Sequence, residues 1–212
     1  MKTIRFENAH RRKHFDYFKA MDQPHYGLTA EITITPLLRH LQEQGRSFTP
    51  TMAYLVARCA NDLRNFRWRI RNGEVIEHET IQPSYTVQTD VSDVFSFCTV
   101  PYDPDYTVFY DRAIETMQRM KKDPSFEDEA GRDNYLFISV VPWVSFTHIQ
   151  HPMHYHPTDT IPRLAWGRYR QISDAWQMPL SVQAHHALVD GRDLGVFFTR
   201  FQEYCSEPQA LL

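Results

Sequence analysis

Pro179-Leu180-Ser181-Val182-Gln183-Ala184-His185-His186-Ala187-Leu188-Val189-Asp190-Gly191 is the stretch on which the reading of this chain turns. It opens as an alternating segment, Leu180-Ser181-Val182-Gln183, the period-two pattern of a strand. It closes at Gly191, after which Leu194, Phe197, Phe198, Phe201 and Cys205 share one helical face. A histidine at the end of such a strand can present its imidazole to a cleft. Asp190, four residues beyond His186, stands where a carboxylate can fix the turn between strand and helix.

Working outward, the chain alternates strand and helix signals without repeats or a Gly/Ser linker, so residues 1–212 read as one domain. Arg11 to Ala20 reads as a short helix, and Leu28 to Thr35 alternates as a strand. Pro36 starts a helix that Gly45 closes. Thr51 to Leu63 places Met52, Leu55, Val56, Cys59 and Leu63 on one face. Arg67 to His78 carries an Asn72-Gly73 turn between two alternating runs, a hairpin signal. Strands are expected at Tyr85–Gln88, Val94–Thr99, Phe137–Trp143 and Ala165–Gln171, and a helix at Tyr106–Lys121. Strands outnumber helices and interleave with them. The expected fold is therefore α/β, a mixed-sheet two-layer sandwich with helices packed on the sheet rather than a doubly wound sheet.

Composition narrows the classes of function. Hydrophobic residues make up 42% and charged ones 23%, an ordinary globular balance. A net charge of -3 and a pI near 6.4 give no reason to expect a nucleic-acid or membrane-surface partner. No apolar run is long enough to span a bilayer, and the N-terminal residues lack the apolar core of a signal peptide. Three scattered cysteines, Cys59, Cys98 and Cys205, fit a reduced, cytoplasmic setting and have no metal-ligand spacing. With only seven glycines there is no phosphate-cradling loop.

The 179–191 stretch closely resembles the signature of the classical, type A chloramphenicol acetyltransferase family. Three further segments agree in order and spacing: Asn8 to Phe15, which carries an Arg-x-x-His-Phe pattern; Phe48 to Leu55; and Ile138-Ser139-Val140-Val141-Pro142-Trp143-Val144-Ser145-Phe146. The resemblance implies the CoA-dependent acyltransferase fold and an acetyl-CoA-dependent O-acetyltransferase acting on the primary hydroxyl of chloramphenicol. His186 would be the general base for direct transfer, because a neutral imidazole can accept a hydroxyl proton near neutral pH. Ser139 would donate its hydroxyl to the tetrahedral oxyanion. Asp190 and Arg11 would form a buried ion pair supporting the histidine, while His185 would pack or hydrogen-bond without chemistry of its own.

On the same resemblance, Phe18, Tyr26, Phe95 and Phe126 would wall the acceptor pocket, and Trp143, Tyr169 and Arg168 would line a coenzyme A channel. Acetyl-CoA would be a co-substrate, with no tightly bound cofactor and no metal, and the protein would work as a homotrimer. Three positions depart from the family pattern: Pro24 replaces a cysteine, Ala165 a threonine that helps hold a water, and Phe137 a polar residue. They leave room for a different hydroxyl acceptor. The catalytic domain of a dihydrolipoyl acyltransferase shares His-x-x-x-Asp-Gly, but such chains usually carry a lipoyl domain and linker upstream, and this one begins directly with the catalytic domain. His148, His151, His154 and His156 could suggest Zn or Ni binding. Two prolines and the lack of carboxylate or thiol partners favour a solvated loop instead.

Overall fold

The computed structural model describes residues 1–126, 129 and 131–212. In chain order its elements are β1 (Lys2–Ile4), α1 (Ala9–Lys19), β2 (His25–Thr33), α2 (Thr35–Gln44), α3 (Phe48–Asn61), β3 (Trp68–Arg71), β4 (Glu74–Glu77), β5 (Gln82–Gln88), β6 (Phe95–Thr99), α4 (Tyr106–Lys122), β7 (Tyr135–Val141), β8 (Arg163–Gly167), β9 (Arg170–Ile172), β10 (Ala175–His185) and α5 (Gly191–Ser206). A seven-stranded sheet runs β2-β10-β8-β7-β5-β6, with β9 paired to β10 beside this path. The β5–β7 and β7–β8 pairings are parallel and the others antiparallel, so the sheet is mixed. A second, three-stranded sheet is ordered β1-β4-β3.

Local chemistry explains the boundaries. Pro36 occupies the first turn of α2, where a missing N–H costs nothing, and Gly45 ends that helix in the left-handed region at φ 61°. Asn72 and Gly73 both adopt positive φ, as a tight two-residue hairpin requires. Asp105 caps α4 by accepting the N–H groups of Thr107 and Val108.

Strand β10 organises the molecule. Met178, Leu180, Val182 and Ala184 join the main hydrophobic cluster with Phe197 and Phe201 of α5 and with Met52 and Val56 of α3. Ser181, Gln183 and His185 alternate with them, so they face the opposite side of the sheet, and all three are nonetheless buried. One face of this strand builds the core, and the other carries polar groups toward the site.

The structure revises one sequence expectation and adds a strand the sequence did not reveal. The segment Ala165–Gln171 is two strands, because the chain turns at Arg168, whose N–H donates to Val144 O at 2.9 Å instead of to the ladder. The short strand β1, three residues with no internal periodicity to reveal it, pairs with β4. Among the described residues no helix is long and apolar enough to cross a membrane.

Candidate active site

His186 is the first residue past β10, and its backbone N–H donates to Pro24 O at 2.8 Å. Pro24 therefore acts here through its carbonyl, a contact any residue could make. The imidazole lies between two rings: Phe18 stacks at 3.8 Å with an interplanar angle of 11°, and Tyr26 at 4.2 Å and 24°. Nδ1 is buried without a hydrogen-bond partner, whereas Nε2 is not so buried, and the residue as a whole is partly buried. With both faces covered, the Nε2 edge is the one open to a reactant.

The turn behind the ring is fixed at several points. Asp190 does not form the expected ion pair with Arg11. Its Oδ1 instead accepts the N–H groups of Arg192 and Asp193 at 2.9 and 3.1 Å, and Asp193 Oδ2 accepts the Asp190 N–H at 2.9 Å. This is a capping box: the free N–H groups of a helix start claim the carboxylate. Arg11 Nη2 donates to the carbonyls of Ala187 and Leu188 at 2.9 and 3.4 Å, so it still ties α1 to the His186 turn. Asn65 adds a bond to Leu188 O at 3.2 Å.

His185 points to the opposite side, against His25, and its Nδ1 accepts the Ala187 N–H at 3.2 Å. Burial, with smaller contributions from His25 and His186, pushes its pKa down to about 4 from the ordinary 6.5. His25 and His151 are lowered in the same direction, chiefly by burial. Between about pH 6.5 and 4 the unfolded chain binds a proton at His185 that the folded chain refuses, so stability is greatest above 6.5 and falls as the pH drops. The expected loss from His185 alone is on the order of 3 kcal/mol across that window. Urea unfolding at stepped pH checks this. The His185→Asn variant should show a flatter acid slope, and an unchanged slope would refute the assignment.

Ser139 sits in β7, opposite Ala165 of β8, which is opposite Ser181 of β10. It lines a cleft of about 1020 Å³ with Phe95, Phe97 and Phe137. Phe126 meets Phe95 and Phe97 at 5.4 and 5.3 Å, completing an aromatic cluster at that cleft. Ala165 is fully buried beside Ser139 and offers no hydroxyl. The four expected pocket residues thus divide. Phe95 and Phe126 belong with Ser139, whereas Phe18 and Tyr26 hold His186.

A second cavity, of about 410 Å³, is lined by Phe48, Pro142, Trp166, Arg168, Tyr169 and Trp176 among others. Trp143, next to Pro142, is exposed. Two of the three residues expected along a channel therefore share one cavity, and the third flanks it.

Sequence reading missed Arg163 and Asp159, which also line the larger cleft, and it considered His151, a third lining residue, only as a metal ligand. Arg163 is ion-paired with Asp159 and lies 4.9 Å over the Phe137 ring. These residues sit on or beside the non-periodic 148–162 segment, where the only signal was the density of histidines and nothing pointed to a cleft. Phe97 carried a readable signal, two positions after Phe95 on one strand face. His151 is tied to Gln183 through Nδ1 at 3.1 Å, while His148, His154 and His156 are exposed. Among the described residues no group of three or more His, Cys, Asp or Glu side chains converges as a metal site.

The family model described as Chloramphenicol acetyltransferase matches residues 1–202. The chain belongs to that family. It is 32% identical to chloramphenicol acetyltransferase 3 of Escherichia coli over 94% of each chain. It is 30% identical to a chloramphenicol acetyltransferase of Clostridium perfringens, covering 99% of this chain and 96% of the relative. Among solved structures, a chloramphenicol acetyltransferase superposes with a TM-score of 0.86 at 23% identity, covering 96% of this chain and 99% of the other. A dihydrolipoamide acetyltransferase of Azotobacter vinelandii superposes at 0.68 and 16% identity, covering 94% and 88%. The latter two establish the shared fold.

Proposed function

We propose that this protein, acting as a single acetyltransferase domain over residues 1–212, transfers acetyl from acetyl-CoA to the primary hydroxyl of chloramphenicol. The observation that carries the reading is the partly buried His186, clamped on both faces, with Nδ1 buried and Nε2 left without a hydrogen-bond partner among the described residues. For this work the ring holds its proton on the buried Nδ1 and a lone pair on Nε2. Nε2 takes the hydroxyl proton as the acceptor oxygen bonds to the thioester carbonyl carbon. Ser139 Oγ–H donates to the oxyanion, a contribution of about 3 to 4 kcal/mol for a single such donor. Collapse breaks the C–S bond, and the departing thiolate recovers the proton from Nε2. No acyl-enzyme forms.

The base and the oxyanion donor must both lie near one carbonyl. Within one chain they are two strand steps and five residues apart, about 19 Å by ordinary sheet spacing. The reading therefore has one subunit of a homotrimer supply His186 and its neighbour supply Ser139. The aromatic group Phe95, Phe97, Phe126 and Phe137 suits a flat acceptor ring, and Arg168, Tyr169 and Trp143 suit coenzyme A. The buried, protonated cysteines fit the cytoplasm, where acetyl-CoA is available.

The direct test is thiol release from acetyl-CoA with and without chloramphenicol. Release that depends on the drug is expected. Release with other hydroxyl compounds and none with chloramphenicol would replace the acceptor and keep the reaction class.

Gly167 provides a second check. A Cβ there would stand 2.8 Å from Pro179 Cγ and from Val144 O, and 3.0 Å from Phe146 Cδ1. Gly167→Ala must push the 142–146 segment outward at the smaller cavity. The expected result is a loss of about 1 to 3 kcal/mol in stability together with a raised KM for acetyl-CoA. An unchanged KM would remove that cavity from the coenzyme site.

A further inference from the structure

His14 belongs to the Arg11–Phe15 segment, yet the mechanism above gives it nothing to do. Its ring stands edge-on to His186 with centroids 5.7 Å apart and packs on Phe18 at 4.8 Å. Its Nδ1 lies 2.8 Å from Arg11 Nη1. A guanidinium has only donors, so this nitrogen must offer a lone pair, and the ring is neutral with its proton on Nε2. The other guanidinium nitrogen, Nη2, reaches the carbonyls of Ala187 and Leu188, the two residues that follow the base. The Phe6 ring, 4.5 Å from Cζ, seats the same cation. One unbroken chain of contacts therefore runs from His14 through Arg11 to the turn that carries His186.

We propose that His14 is a positioning residue: its unprotonated Nδ1 aims the Arg11 guanidinium that clamps the turn behind His186, and protonating His14 releases the clamp. The proposal rests on the reading of His186 as the base. The groups that face His14 are Arg11 and His10 from its own helix, and His186 and Asp190 across the contact. Burial disfavours the charged ring most, followed by Arg11 and His186, with His10 acting the same way and Asp190 opposing them. The neutral form therefore persists below the usual imidazole range. Once protonated, the ring has no lone pair, and two N–H groups confront each other at the 2.8 Å contact. Productive enzyme then needs two unprotonated imidazoles, His14 for the clamp and His186 for the chemistry.

The test compares the wild type with His14→Asn and His14→Leu. Asparagine Oδ1 reproduces the acceptor but cannot titrate, whereas leucine removes the acceptor. In the wild type, log(kcat/KM) against pH should steepen on the acid side toward a slope of about two. His14→Asn should return the slope to about one while recovering most of the rate lost in the leucine variant. His14→Leu should lower kcat about tenfold with little change in the KM for acetyl-CoA. Nitrogen-15 NMR of the resting protein, which needs no turnover and no leucine variant, should show His14 Nδ1 unprotonated at neutral pH. A protonated Nδ1, a wild-type acid slope of one, or full activity in His14→Leu would overturn the proposal. If no hydroxyl acceptor is acetylated at all, the functional reading fails, and the NMR signal still decides the clamp.

Discussion

Replacing His186 by alanine is expected to lower kcat for acetyl transfer by about 10³- to 10⁴-fold, the range of a well-placed general base. The thioester is already activated, so the enzyme's task is to raise the nucleophilicity of an alcohol whose proton is lost only at very high pH. Without Nε2 the acceptor oxygen must attack while still protonated. The KM for acetyl-CoA should change little, since the cavity proposed for the coenzyme is lined by other residues. The rings of Phe18 and Tyr26 leave an imidazole-shaped slot between them in the variant. Added imidazole should therefore restore part of the rate, and its effect should follow the unprotonated fraction of imidazole as pH is varied. Stopped assays of thiol release give both numbers. A variant that keeps a tenth of the wild-type rate would remove His186 from the chemistry.

Much of this arrangement could be read from the residues, and the exceptions have physical reasons. The alternation Met178, Leu180, Val182, Ala184 announces a strand with one face in the core, and the structure puts those residues there. The Asn72-Gly73 turn and the Pro36-to-Gly45 helix depend on backbone conformations that few other residues favour, so single letters located them. The role of Asp190 was harder to see. A carboxylate four residues past the proposed base suits an ion pair and a helix cap equally well. The free N–H groups of Arg192 and Asp193 are local and always present, whereas Arg11 lies far off in the chain and finds carbonyl partners as readily. The cleft lining by Arg163 and Asp159, and the place of His151 beside them, was invisible for another reason. Long-range packing of an aperiodic segment leaves no local signature, and only the folded sheet brings it beside Ser139.

The separation of His186 from Ser139 leads to the sharpest test of assembly. His186→Ala and Ser139→Ala chains should each be nearly inactive alone, the serine variant by about 10²- to 10³-fold. When the two are unfolded, mixed in equal amounts and refolded together, activity should return. In the proposed ring of three, each site would take its imidazole from one chain and its hydroxyl from the next. Random assembly then leaves about a quarter of the sites with both groups intact, and about a quarter of the wild-type rate should be recovered. Each productive site pairs the intact His186 of a Ser139→Ala chain with the intact Ser139 of a His186→Ala chain. Two groups acting within the same chain could never be restored by mixing, whatever the oligomer. A mixture no more active than its parts would therefore rule out a shared site. The fold would then need a rearrangement to close the roughly 19 Å between strand positions.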